Sequence, residues 1–218
     1  MQERSSSRVE GAASGPRQRS RRSKLDDILA AATRRFGESG YDATKLADIA
    51  RDVGIGTTAL YHYFESKDHC LFTLITVAMK ETHGRFGETI ARDLPTRLAL
   101  EELIKGSFLV PADHVLRSRI VVSEQGRLAN AAHGKREEEA RLEARDWVRT
   151  TEADWQTLLA GAMGEGVIER QDPRLLARAV LGVLSSVWHW YRPGGMVELG
   201  ELSEFFTTRT LRFIGVAP

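Results

Sequence analysis

From Leu25 onward apolar residues recur every three or four positions, and Leu25, Ile28, Leu29, Ala32 and Phe36 fall on one side of a helix. Ser23, followed three residues later by Asp26, reads as a capping box with Asp in place of Glu, so order is expected to begin at Ser23. Gly40 ends this helix. Leu46, Ile49, Ala50 and Val53 form the stripe of a short second helix, with Thr44 as its candidate cap and Gly54 supplying the positive φ favoured at a helix C-terminus. After Gly54-Ile55-Gly56 a third helix is expected from Thr57 to about Phe64, with Leu60 and Phe64 inward at i, i+4 spacing. Ser66 caps a fourth, where Leu71, Leu74, Ile75, Ala78 and Met79 carry the stripe toward Arg92.

Further helices are predicted at about 96–110, 113–130 and 134–164, the last with the run KREEEARLEARD as a solvated face of i, i+4 pairs. The two final helices differ from these. Starting from Pro173 at a helix N1 position, apolar residues cover more of the circumference than one core contact requires, and after the break at Pro193-Gly194-Gly195 the last helix does the same. A helix apolar on two faces needs a second partner. Val180, Val183, Leu184, Val187, Phe205, Phe206 and Phe213 are the candidates for that interface, and the fold class is all-α.

Composition adds that 218 residues, 42% hydrophobic and 28% charged, can bury a real core. The net charge of +1 requires any nucleic-acid footprint to come from a local cluster. Such a cluster exists: residues 1–24 hold seven Arg or Lys against two acids, about +5, among Ser, Gly and Pro. Residues 1–22 therefore read as a disordered basic arm, either reaching for DNA or serving as an inert tail. The single cysteine, Cys70, cannot form an internal disulfide, and no apolar run reaches the ~18 residues of a membrane span. A cytoplasmic protein without membrane partners is expected.

Two short helices joined by a tight three-residue turn with Gly at its start are the pattern of a helix-turn-helix, whose second helix enters the DNA major groove. With Leu60 and Phe64 inward, Thr57, Thr58, Tyr61 and His62 lie outside, where they can meet phosphates and base edges. Lys67 sits in the first turn of the fourth helix, against the preference of the helix dipole, and a bound phosphate would compensate.

Over residues 24–72 the stretches ILAAATRRFGESGYDAT and LADIARDVGIGTTALYHYFESKDHCLF resemble the TetR family of transcriptional repressors. The second is similar to the family's "T-x-x-x-I-A" helix and "G-V-S-x-G-x-L-Y-x-Y-F-x-S-K" signature. Gly56 stands where the family usually has a capping Ser, and Thr58 where it often has Gly. The resemblance implies that Thr44, Lys45 and Gly56 lie at the phosphate backbone, that Thr57, Thr58, Ala59 and His62 face the groove, and that Tyr61, Tyr63 and Lys67 hold phosphates. It also implies a homodimer, with the last two helices forming a four-helix bundle with their copies. On this reading residues 23–70 are the DNA-binding head and residues 71–218 the ligand-binding and dimerisation body.

Catalytic and metal motifs are absent from the sequence: there is no G-x-S-x-G elbow, phosphate-binding loop or H-E-x-x-H pair, and the six histidines lack ligand spacing. Neither enzyme activity nor a cofactor is expected; the alternatives to a repressor are a transcriptional activator of the same fold, and an enzyme or carrier using a helical head for partner binding. Met79, His83, Phe86, Phe108, Trp147, Trp188 and Trp190 are the candidate walls of an effector pocket. The segment WHWYRPGG resembles the end of the penultimate helix in a TetR branch controlling lipid and acyl-CoA catabolism. A coenzyme A thioester would need arginines for its phosphates, and Arg119, Arg127, Arg145, Arg178 and Arg192 lie in segments that could supply them.

Overall fold

The computed structural model describes the backbone of residues 16–216, with side chains from Lys24 onward except those of Ala112 and Asp113. Residues 1–15 of the expected arm lie outside the described residues. Residues 16–22 open helix α1 (Pro16–Ser39), so Ser23 falls inside a helix and not at its cap. Pro16 occupies the first helical position, where its fixed φ suits the helix and its missing N–H breaks no bond.

Gly40, at φ +86°, turns the chain out of α1. Helix α2 (Leu46–Asp52) has Lys45 and not Thr44 at its N-cap position, and no side chain caps it. Its C-terminus is a Schellman motif, in which Gly54 at φ +65° donates to the Arg51 carbonyl at 3.1 Å and Ile55 to that of Ala50 at 3.0 Å. Helix α3 (Thr57–Tyr61) stops one turn short of the expected end, yet Phe64 still enters the core at 1% exposure. Ser66 caps α4 (Lys67–Ile90) by accepting the His69 N–H at 2.9 Å, as its position suggested.

The body follows as α5 (Thr96–Gly106), α6 (Ala112–Glu124), a 3-10 turn (Gln125–Ala129), α7 (Lys135–Gly164), α8 (Pro173–Trp190) and α9 (Leu199–Phe213). The single helix expected at 113–130 thus tightens into 3-10 geometry at Gln125. One apolar cluster joins Ile28, Phe36, Ile49, Leu60, Phe64, Leu71 and Ile75 of the head to Ile120, Val121, Leu128, Ala140 and Ala144 of the body. Gly37 permits this close packing, since a Cβ there would meet Leu116 Cδ2 at 2.9 Å. The head is therefore welded to the body through α1, α6 and α7, and the boundary expected at residue 70 falls inside the unbroken α4. A second cluster, including Leu100, Phe108, Trp155, Leu159, Val180, Trp188 and Ile214, fills the far end.

Helix α8 corrects part of the expected dimer interface. Val180, Leu184 and Val187 are 0%, 5% and 0% exposed and pack within their own protomer. The outward stripe runs instead through Leu175, Ala179, Val183, Ser186 and Trp190 at three- and four-residue spacing, with Leu175 65% and Trp190 50% exposed. On α9, Phe205 and Phe213 are exposed, whereas Phe206 turns inward against Phe108 with ring centroids 5.3 Å apart. The apolar excess read from sequence was real, but the protomer uses one of the two faces for itself. Replacing Phe205 or Leu175 with Glu should leave the helical content intact and yield monomers in light scattering. Val180→Glu should instead unfold the protomer, because a carboxylate would be buried without a partner.

Candidate nucleic-acid interface and effector cavity

Helix α3 is held from beneath by Leu60, fully buried, so the side chains around it point outward. Gly56, Thr57, Thr58 and His62 are exposed, Tyr61 is 50% exposed, and Ala59 is half-buried beside them. Lys45, at the entry to α2, is exposed too. These residues form one surface with hydroxyl, phenol, imidazole and ammonium groups. Tyr63 is half-buried against the head core. That surface fits a major groove, where such groups meet phosphate oxygens and base edges.

Two expected phosphate ligands are placed otherwise. Thr44 is 3% exposed, and its hydroxyl donates to the Gly40 carbonyl at 2.8 Å and lies 3.2 Å from that of Arg35, closing the end of α1. Lys67 folds back toward the loop between α1 and α2, where its ammonium donates to the carbonyls of Tyr41 (2.8 Å), Thr44 (3.1 Å) and Asp42 (3.3 Å). An ammonium has three protons, and these three carbonyls take them. The same Nζ lies 4.2 Å from the Tyr41 ring centroid. Its odd position against the helix dipole is thereby explained without any bound anion.

Tyr41 is the hub of this loop. Its hydroxyl donates to Asp68 at 2.6 Å, and burial, followed by that bond, pushes its phenol pKa upward. The Arg127 guanidinium, carried by the 3-10 turn of the body, lies 4.1 Å from the same ring and pairs with Asp42 and Glu124, each at 2.7 Å. Arg127, a sequence candidate for coenzyme A phosphates, is thus part of the joint between head and body. Sequence reasoning missed the pairing of Tyr41 with Arg127 because the two are 86 positions apart and carry no shared spacing.

A cavity of about 420 Å³ opens between α4, α6, α7 and α8. Its apolar wall includes Met79, Val121, Val122, Trp155, Leu181 and Trp188, and its polar side includes Glu81, Ser118, Gln125 and Thr151. Of the sequence candidates only Met79 and Trp188 line it. Phe108 is fully buried behind Trp188, with ring centroids 6.3 Å apart, and Phe86 stands edge-on to Trp155 at 5.9 Å. His83 and Trp147 belong to the seam between α4 and α7, where His83 Nδ1 lies 2.7 Å from Asp154, and Trp190 is on the outer stripe of α8. Trp155 was the missed aromatic, since its place two turns beyond Trp147 gave no hint that only it turns inward.

Within the cavity Arg117 Nη1 lies 2.7 Å from both oxygens of Glu81, so the charge of that carboxylate is met in place. Arg178 and Arg85 stand on exposed positions of the lining, Arg178 at 3.5 Å from Glu152. Arg119, Arg145 and Arg192 do not line the cavity, and burial together with the Arg192 charge lowers the Arg119 pKa. Among the described residues no group of three His, Cys, Asp or Glu is disposed to hold a metal. Among them, too, no helix is long and apolar enough to cross a membrane.

Comparison with known proteins agrees with this geometry. The family described as "Bacterial regulatory proteins, tetR family" matches residues 28–74, and "Tetracyclin repressor-like, C-terminal domain" matches residues 99–214. The HTH-type transcriptional repressor KstR2 of Rhodococcus jostii is 28% identical over 193 residues, covering 88% of this chain and 89% of that protein. The fatty acid metabolism regulator protein of Bacillus subtilis is 26% identical over 194 residues, covering 84% and 91%. In fold, the chain is similar to AibR solved with isovaleryl coenzyme A and operator DNA, at a TM-score of 0.71 and 18% identity over 85% of this chain and 97% of that one.

Lys67→Ala should destabilise the DNA-free protein by on the order of 2 kcal/mol, read as a lower urea midpoint, because the loop carbonyls lose a charged donor. The salt dependence of DNA binding should keep its slope. A slope flattened by about one unit with unchanged stability would instead identify the ammonium as a phosphate ligand.

Proposed function

The chain belongs to the TetR family of bacterial regulatory proteins, and from that premise we propose that it is a dimeric transcriptional repressor whose cavity takes a coenzyme A thioester that releases it from operator DNA. Its place of action is then the cytoplasm, on a near-palindromic operator with half-sites about one helical turn or a simple multiple apart. Thr57, Thr58 and His62 read base edges, while Lys45 and Tyr61 approach phosphates on either side.

The observation that carries the effector reading is the cavity itself, whose walls are the helices that also hold the head. Helix α4 begins just after the recognition helix, and Ala78, Met79 and Thr82 of its middle turns line the cavity. A ligand that spreads α4 from α6 or α7 must therefore move α3. Such a ligand prefers the DNA-incompetent state, and by reciprocity operator and effector weaken each other. The chemistry of the walls selects an apolar acyl group, against Val121, Val122, Leu181 and the two tryptophans. Arg85 and Arg178 at exposed positions of the lining suit phosphates. Two relatives point the same way: AibR was solved with isovaleryl coenzyme A, and the Bacillus subtilis relative regulates fatty acid metabolism by its name.

A melting panel of acyl-coenzyme A thioesters of increasing length, the free acids, coenzyme A itself and planar cationic drugs tests this. A thioester at 100 times its Kd adds about 2.7 kcal/mol to stability, which raises Tm by roughly 5–10 °C for a chain of this size. The same thioester should release operator, and Arg178→Ala should weaken the thioester more than the corresponding free acid. Stabilisation by the drugs alone would assign the protein to control of drug efflux.

A further inference from the structure

Helix α7 starts with a defect. Its N-cap position is Gly134, which has no side chain to accept the free N–H groups of the first turn. The missing acceptor comes from the head: Glu65, in the turn that follows the recognition helix, accepts the Glu137 N–H at 2.6 Å through Oε1. The contact works in both directions. Arg136, in the same first turn of α7, donates to the carbonyls of His62 and Tyr63, the last carbonyls behind α3. Glu137 is 2% exposed and accepts the His133 N–H at 3.0 Å and the Ser66 hydroxyl, so the cap of α4 is tied into the same knot. Burial alone would raise the Glu137 carboxyl pKa, but those hydrogen bonds outweigh it and hold it below the usual range.

We propose that Glu65 and Arg136 are positioning residues for operator recognition, a reciprocal cap between α7 and the end of the recognition helix that fixes how α3 is presented to the groove. The inference rests on operator binding through α3 and is indifferent to the identity of the effector. Neither residue needs to touch DNA. Glu65 acts as the N-cap that Gly134 lacks, and Arg136 acts as a C-cap for a helix of five residues that ends at Tyr61. Gly134 leaves room for this cap, since a Cβ there would displace the Glu65 carboxylate. The backbone itself would accept another residue, since Gly134 sits in extended conformation at φ −143°.

That last point supplies a variant separating positioning from plain stability. Gly134→Ser gives α7 a cap of its own and pushes Glu65 away, the far end of a flexible side chain, so the helix stays capped while the Glu65 half of the tie is cut. Operator DNA is first selected with the wild-type protein, so a failure of operator recognition shows at that step, and a failure of the cap only in the variants. Gly134→Ser should keep or raise Tm and lower operator affinity by about tenfold, on the order of one or two lost charged hydrogen bonds. Glu65→Ala, which removes both the charge and the acceptor, gives a test of sign: removing an acid near DNA should strengthen binding by electrostatics, whereas loss of the cap should weaken it. Arg136→Ala should weaken binding without changing the salt slope. Wild-type affinity in Gly134→Ser, stronger binding in Glu65→Ala, or a slope reduced by about one in Arg136→Ala would each overturn the proposal.

Discussion

The structure turns on two cations over one buried ring. Lys67 from the start of α4 and Arg127 from the body both lie over Tyr41, at 4.2 and 4.1 Å from its centroid, while the Tyr41 hydroxyl is bound to Asp68. A phenol ring tolerates cations through its negative face, and the adjoining carbonyls and carboxylates supply the hydrogen bonds that bare burial of two charges would deny. Around this knot the α1–α2 loop, the first turn of α4 and the 3-10 turn of the body acquire fixed relative positions. With burial and Asp68 holding its pKa high, the phenol stays a donor throughout the range in which a cell operates.

Consequences for function follow from that rigidity. Because one apolar cluster runs from Ile49 and Leu60 in the head to Ile120 and Ala144 in the body, the recognition surface cannot tilt independently of the helices around the cavity. Well-packed interfaces hold a few discrete arrangements and do not deform smoothly, so a ligand that changes the spacing of α4, α6 and α7 shifts the head between such arrangements. The dimer amplifies it. Two recognition helices must reach two half-sites at once, and a small change in each protomer spoils the fit of the pair.

Local features were legible in the sequence and distant ones were not. The helix-turn-helix followed from periodicity in Leu46–Val53, the Gly54 turn and the inward pair Leu60 and Phe64, all settled within a few residues. Ser66 as a cap was equally local. Lys67 was misread because a lysine at a helix start looks free from sequence, and only the fold shows three loop carbonyls returning to it. Thr44 failed likewise, its hydroxyl turning back to α1. In α8 the hydrophobic excess did not show which face points outward: Val180, Leu184 and Val187 are buried within the protomer, Val183 stands with Leu175 and Trp190 on the outward stripe, and composition cannot phase a helix against a partner it does not see. The cavity walls were least legible, since Trp155 lines the space and Trp147 does not, a distinction set by how α4 crosses α7.

The central claim is that the body controls the spacing of the two recognition surfaces. It can be measured directly with spin labels on a Ser39→Cys variant, at the exposed end of α1 and outside the groove-facing surface, the native Cys70 being fully buried and its thiol pKa pushed up to about 12. Dipolar distances between the paired labels should give one narrow distribution when operator is bound, as two recognition helices held in successive major grooves require. Adding the thioester that stabilises the protein most should move the distribution by several ångströms in the operator-free dimer. An identical distribution with and without that ligand, at concentrations that release operator, would contradict the account.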